Sequence, residues 1–135
     1  MNKIEKITIC GKKVNIMYCA ATETGYEIVA GKSSQVFLPT VLERDENGKV
    51  TKAEPPAATL DDYIKLALAG IVAAYDSEDK KPPVTSKDIL YKAASEEITN
   101  LVSTIVRLRM EWYKVPNIVK HDEQQIEEER EQPKN

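Results

Sequence analysis

The sequence predicts an α+β fold, mostly α: an N-terminal β-hairpin packed on a small bundle of about four helices, with a surface hairpin or loop inserted at 36–58. Three observations carry that expectation. The stretch 59–76, TLDDYIKLALAGIVAAYD, places apolar residues at helical i, i+3, i+4 spacing. The opening stretch 4–19, IEKITICGKKVNIMYC, instead alternates apolar and polar residues around a glycine, as a hairpin does. Near the end, EEITNLVSTIVRLRMEWYKV carries a second long helical stripe.

In the hairpin, Ile7 and Ile9 alternate with Thr8 and Cys10, and Val14, Ile16 and Tyr18 with Asn15 and Met17. Gly11 and the lysines after it supply the turn. Two strands alone are marginal, so the apolar face needs a helix to cover. Residues 20–31, AATETGYEIVAG, read as a short helix capped by Thr22 and ended by Gly31, with Tyr26 and Val29 pointing inward. Next, 35–38 reads as a short strand cut by Pro39. Asn47-Gly48 lies between two weakly apolar arms at 41–53, a hairpin signal placed on the surface, and Pro55-Pro56 separates that hairpin from the central helix.

Thr59 caps the central helix, with Asp62 at the third helical position as in a capping box. Asp61, Asp62, Lys65 and Asp76 share one narrow polar strip at about 100° per residue. The inward face reads as Leu60, Tyr63, Ile64, Ala67, Leu68, Ile71, Val72 and Tyr75. Almost everything else is apolar or small, so this helix needs cover on more than one side. Two readings of Leu66, Ala69 and Ala73 stand. They belong to a central core helix, or they form an assembly surface where small residues admit another backbone.

After the polar loop SEDKKPPV, Thr85 and Asp88 repeat the capping-box spacing over KDILYKA, anchored by Ile89 and Leu90. Ser95 caps the last helix, and Glu96 and Glu97 suit its positive end. Ile98, Leu101, Val102, Ile105, Leu108 and Trp112 form its stripe. Arg109 projects near the middle of that stripe. Its stem lies on apolar surface while the guanidinium reaches water or a helix end, or it is reserved for a partner's carboxylate. Pro116 stops the helix. Residues 1–116 thus read as one globular domain, and 117–135 as an acidic tail, frayed or disordered.

Composition narrows the function classes. A chain of 135 residues suits one domain with a real core. A net charge of −3 gives no general case for nucleic-acid binding. No apolar run approaches the ~20 residues of a membrane span, and the start MNKIEKITIC lacks the apolar region of a signal peptide. Cys10 and Cys19 read as small hydrophobes of a reduced, cytosolic protein. His121 is the only histidine, and no clustered His or Cys completes a metal site. Glycine-rich phosphate loops, GxSxG, HExxH and CxxC are all missing, so the expectation is a non-enzyme without a cofactor.

A short hairpin is followed by YCAATETGYEIVAG, then TLDDYIKLALAGIVAAY, a polar loop, PVTSKDIL, and the final helix SEEITNLVSTIVRLRMEWY. This order resembles the tail assembly chaperones of long-tailed bacteriophages and prophages. The resemblance covers roughly 4–113 and rests on pattern and local strings; the segment 36–58 departs from compact members of the family. It implies a non-catalytic protein of the host cytoplasm. Such a protein binds the tape measure protein and keeps its helices soluble until tail-tube subunits polymerise around it. That task needs apolar grooves for amphipathic helices, and self-association along an extended client. Tyr63, Leu66, Ala69, Ala73, Tyr75, Arg109 and Trp112 are the candidate protein-interaction residues, with no nucleic-acid or membrane partner expected. The competing reading is a small regulator with a helix-turn-helix at 86–113, using Lys87, Lys92, Arg107 and Arg109. Two glutamates then stand where a recognition helix would meet DNA. A head–tail joining structural protein is a third reading.

Overall fold

Strand β1 (Ile4–Ile9) pairs antiparallel with β2 (Lys12–Met17), Ile7 opposite Val14, in a computed structural model that describes residues 3–113. The stop at Pro116 and the acidic tail at 117–135 lie outside those residues. Cys10 and Gly11 form the two-residue turn, both at positive φ, 54° and 74°, the twist that two-residue hairpins favour. Glycine adopts it freely, and Cys10 is held in it by a side chain 87 positions later in the sequence. The Glu97 carboxylate accepts from the N–H groups of Cys10 at 2.9 Å and Gly11 at 3.2 Å. It also accepts from Ala94 N at 3.0 Å. These backbone donors hold its carboxyl below the usual range.

Helix α1 (Ala20–Ala30) begins after Cys19, whose N–H donates to Thr22 Oγ1 at 3.1 Å; that hydroxyl in turn donates to Met17 O at 3.1 Å. Thr22 therefore sits at the third helical position and is not the cap that its sequence position suggests. Gly31 ends the helix in the left-handed region, φ 67°. Tyr26 is fully buried. Val29 is 64% exposed and sits on the rim of the α1 surface, which corrects its inward reading.

A 3-10 turn at Ser34–Phe37 replaces the strand expected at 35–38. Ser33 Oγ accepts from Gln35 N at 3.2 Å, and Glu27 Oε2 accepts from Ser34 N at 2.8 Å. Both bonds favour a turn over an extended strand. The turn swings Phe37 inward, 4.9 Å from the Tyr26 ring and 5.1 Å from the Tyr63 ring. Strands β3 (Pro39–Arg44) and β4 (Val50–Pro56) then form the expected second hairpin. Its connection is a longer loop organised by Asp45 Oδ1, which accepts from Asn47 N at 2.8 Å and Lys49 N at 2.9 Å.

Helix α2 (Leu60–Asp76) packs against α1, β2 and α4 (Ser95–Tyr113), so its cover comes from three sides. The buried arc lies opposite the polar strip of Asp61, Lys65 and Asp76, and includes Ile64, Leu66, Ala67, Ile71 and Ala74. Leu68 and Val72 flank that strip. Val72 is exposed and Leu60 at the first turn is 59% exposed, so both are corrected as inward residues, whereas Leu68 is half-buried and packs against the edge of the core. Short α3 (Ser86–Lys92) keeps its capping box, with Asp88 N donating to Thr85 Oγ1 at 3.2 Å. It buries Ile89 but leaves Leu90 exposed, because so short a helix offers the body one side. On α4, Leu101, Ile105, Leu108 and Arg109 are buried. Ser95 is the first helical residue; Ala94 occupies the cap position, bonded to Glu97.

Asp62 belongs to the interior and not to the solvent strip, being 1% exposed. Its carboxylate accepts from Thr59 N at 2.9 Å, Tyr26 Oη at 3.0 Å and Lys32 Nζ at 3.0 Å. Burial alone raises its pKa; the Thr59, Lys32 and Tyr26 hydrogen bonds overcome that and bring it to about 2. The folded value lies below the ordinary 3.8, so the stabilisation is complete above about pH 4 and is lost as pH falls toward about 2. Asp62→Asn is expected to lose about 2 kcal/mol at neutral pH and to flatten that acid limb. Urea midpoints from pH 2 to 7 check this. A variant with the wild-type acid limb would assign the limb to another carboxylate, such as Glu5.

Candidate protein-binding groove

The β3–β4 hairpin packs more on itself than on the helices. It meets the body where Pro39, Leu42 and Pro56 face α2 and α4. Between them lies a cavity of about 540 Å³. Tyr63 and Leu66 come from α2, Val106, Arg109 and Met110 from α4, and Phe37 and Leu38 close the end. Leu66 is fully buried and forms the floor, Tyr63 is half-buried, and Leu38 and Leu42 are each 40% exposed at the rim.

Along α4 the apolar lining continues. A shallower depression of about 580 Å³ is lined by Leu60, Ile98 and Val102 with Ser95, Thr99 and Ser103. Ile98, Val102, Val106 and Met110 recur every fourth residue and are all half-buried. That row spans three helical turns, about 18 Å. It runs beside the core row of Leu101, Ile105 and Leu108.

Arg109 is 7% exposed and borders this groove. Its guanidinium carbon lies 4.8 Å from the centre of the Tyr113 ring and 5.8 Å from that of Phe37. The stem is buried as expected, and the head lies between the groove and a second cavity beside it, with Nε buried and unbonded.

No protein-family model, no curated protein and no solved structure matches this chain.

The groove gathers three of the seven candidate residues, Tyr63, Leu66 and Arg109. Ala69 and Ala73 are 8% and 6% exposed and line the contact of α2 with α1. The small residues there admit backbone of the same chain: Gly25 faces Ala69, and Gly70 faces the Met17 carbonyl. Of the two readings of Leu66, Ala69 and Ala73, burial favours the core helix over an assembly surface, with Leu66 also lining the groove. Tyr75 is half-buried under β2, its hydroxyl accepting from Asn15 N at 3.1 Å. Trp112 stands at the end of α4, 38% exposed, 5.4 Å from the Tyr18 ring. Tyr18 donates to Glu23 at 2.7 Å, and Tyr113 donates to the same carboxylate oxygen. Burial first, then that bond, pushes the Tyr113 hydroxyl up to about 12.

Sequence reading missed Val106, Met110, Leu42 and the prolines of the hairpin. The i+4 row from Ile98 to Met110 was the signal for the first two. The hairpin wall had none, because nothing local says which helix a surface hairpin faces. Among the described residues no cluster of His, Cys, Asp or Glu is arranged to hold a metal, and no helix is long and apolar enough to cross a membrane.

Proposed function

We propose that this protein is a non-catalytic tail assembly chaperone of a long-tailed phage or prophage. It acts in the bacterial cytoplasm, binding helices of the tape measure protein before tail-tube subunits enclose them, and self-associates along that extended client. The observation that carries the reading is the apolar groove between the β3–β4 hairpin, α2 and α4, prolonged by the Ile98–Met110 row. Its row of half-buried residues at fourth positions is what an amphipathic helix docks against. Two features disfavour the regulator reading. The start of α4, which a recognition helix would present to DNA, is tied to the Cys10–Gly11 turn by Glu97. Arg107 is already engaged by Glu5 at 2.5 Å and Glu111 at 3.2 Å.

Co-expression with the tape measure protein of the same tail-gene cluster tests the proposal. A soluble complex is expected to co-elute on size exclusion. Leu42→Asp and Val102→Asp, which change partly exposed groove residues, are expected to abolish it while leaving the circular dichroism spectrum intact. Failure of the wild-type pair to form a complex sinks the chaperone reading. A complex indifferent to both substitutions moves the client off this groove.

A further inference from the structure

A guanidinium whose Nε is buried without a partner stands at the groove, and it indicates what the docked segment must carry. Arg109 Nε is buried and has no hydrogen-bond partner, and among the described residues nothing else bonds the guanidinium. The residue is 7% exposed, and Nε is the donor of its guanidinium that water does not reach. Burying an unpaired charge is costly, and Arg is usually buried against a planar acceptor that matches its fork of donors. The rings of Phe37 and Tyr113 attract the cation. That attraction involves the ring faces and leaves the N–H donors unused. The carboxylates on the α1 side bond other donors and not Arg109. Glu23 accepts the Tyr18 and Tyr113 hydroxyls, and Glu27 accepts Ser34 N at 2.8 Å. Arg109 borders two cavities at once, the apolar groove and a second one of about 320 Å³ lined by Glu27, Ser33, Ser34, Gln35, Leu38 and Tyr113.

We infer that the groove selects an amphipathic helix whose apolar face carries one carboxylate, which Arg109 receives as a two-point ion pair. The inference rests on the docking reading proposed for the groove and adds the chemistry of the occupant. Charge complementarity argues for it: an apolar wall satisfies an apolar helix face, and the buried unpaired donor in that wall, Arg109 Nε among the described residues, belongs to a cation. A carboxylate buried there gains charge-assisted hydrogen bonds that an amide of the same shape does not match. Arg109 thus sets which stretch of a long client binds and in which register, while Tyr63, Val106 and Met110 supply area.

The test uses the full chain and two end-capped 18-residue peptides of Leu, Ala and Lys, one with a single Glu centred on the apolar face and one with Gln there. Fluorescence anisotropy of the labelled peptides reads the affinities. The Glu peptide is expected to bind about 10- to 100-fold tighter than the Gln peptide. Arg109→Met is expected to erase that preference while still binding the Gln peptide. Arg109→Lys is expected to restore part of it, since an ammonium lacks the planar fork. Equal affinities of the wild type for both peptides overturn the inference and leave the groove standing, a result that needs no variant to fold. Binding of neither peptide overturns the groove reading as well. Two further results overturn it by giving Arg109 another occupant. One is a tighter Gln-peptide complex on replacing Glu127, Glu128 and Glu129 with Gln, which assigns Arg109 to the chain's own C-terminal segment. The other is a dimer in light scattering that Arg109→Met dissolves, which assigns it to a second copy.

Discussion

Leu66→Ala is expected to lower stability by about 3–5 kcal/mol, and Leu68→Ala by only about 1 kcal/mol. Leu66 is completely buried on the arc of α2 that faces the body, and it also floors the groove. Truncating it loses transfer free energy and leaves a void that rigid neighbours fill incompletely. Leu68 is half-buried beside the polar strip, at a shallow depression that it shares with Val29 and Val72, both exposed. Much of its truncation is absorbed by solvent. Denaturant titrations of the two variants at equal slope decide the matter. Equal midpoint shifts would mean that α2 is rotated about its axis, with Leu68 as deep as Leu66. The pair also separates stability from docking. Loss of peptide binding by Leu66→Ala at a denaturant concentration where it stays folded would assign the groove floor a direct part in recognition.

The contrast between these two leucines shows where sequence reading succeeds and where it stops. Local chemistry was legible. The capping boxes Thr59–Asp62 and Thr85–Asp88 appear where the spacing puts them. So do the glycine end of α1 at Gly31 and the hairpin through Asn47 and Gly48. Each depends on neighbours within a few residues. Facing was less legible. A helix apolar over most of its circumference has an inward arc set by whatever covers it. Reading the largest side chains as inward put Leu60 and Val72 inside, where they are exposed, and left Leu66 open between core and assembly surface. The polar strip was the better guide, since the buried arc lies opposite it. Asp62 defeated even that guide, because Lys32 and Tyr26 arrive from another element to satisfy it. Glu97 reads as a first-turn charge, yet it fastens a turn 86 positions away in the sequence. The candidate site was legible by residue type at Tyr63 and Arg109. Its other wall belongs to a hairpin whose docking no periodicity records.

Gly70→Ala is expected to be destabilising by about 2–3 kcal/mol, although alanine is the better helix former by about 1 kcal/mol. A methyl group at Gly70 would stand 2.7 Å from the Met17 carbonyl oxygen, 2.9 Å from Ile105 Cδ1 and 3.1 Å from Ile16 Cγ1. The first of these is backbone, held in the hairpin and also bonded by the Thr22 hydroxyl. It has no rotamer with which to yield. α2 must therefore move off β2 and α4 together, which opens the core. Gly25→Ala is the control. Its methyl group would meet only Ala69 Cβ at 3.4 Å, an ordinary contact. There the propensity gain survives, and a stabilisation of about 0.5–1 kcal/mol is expected. Thermal and urea unfolding of the two variants read the signs directly. Opposite signs place the tight crossing at Gly70, whereas a neutral or stabilising Gly70→Ala would mean that β2 and α4 leave room for a methyl group beside α2. Because α4 carries the Ile98–Met110 row and Arg109, the same displacement should weaken peptide docking. Gly25→Ala should leave docking unchanged, since α1 contributes nothing to the apolar groove.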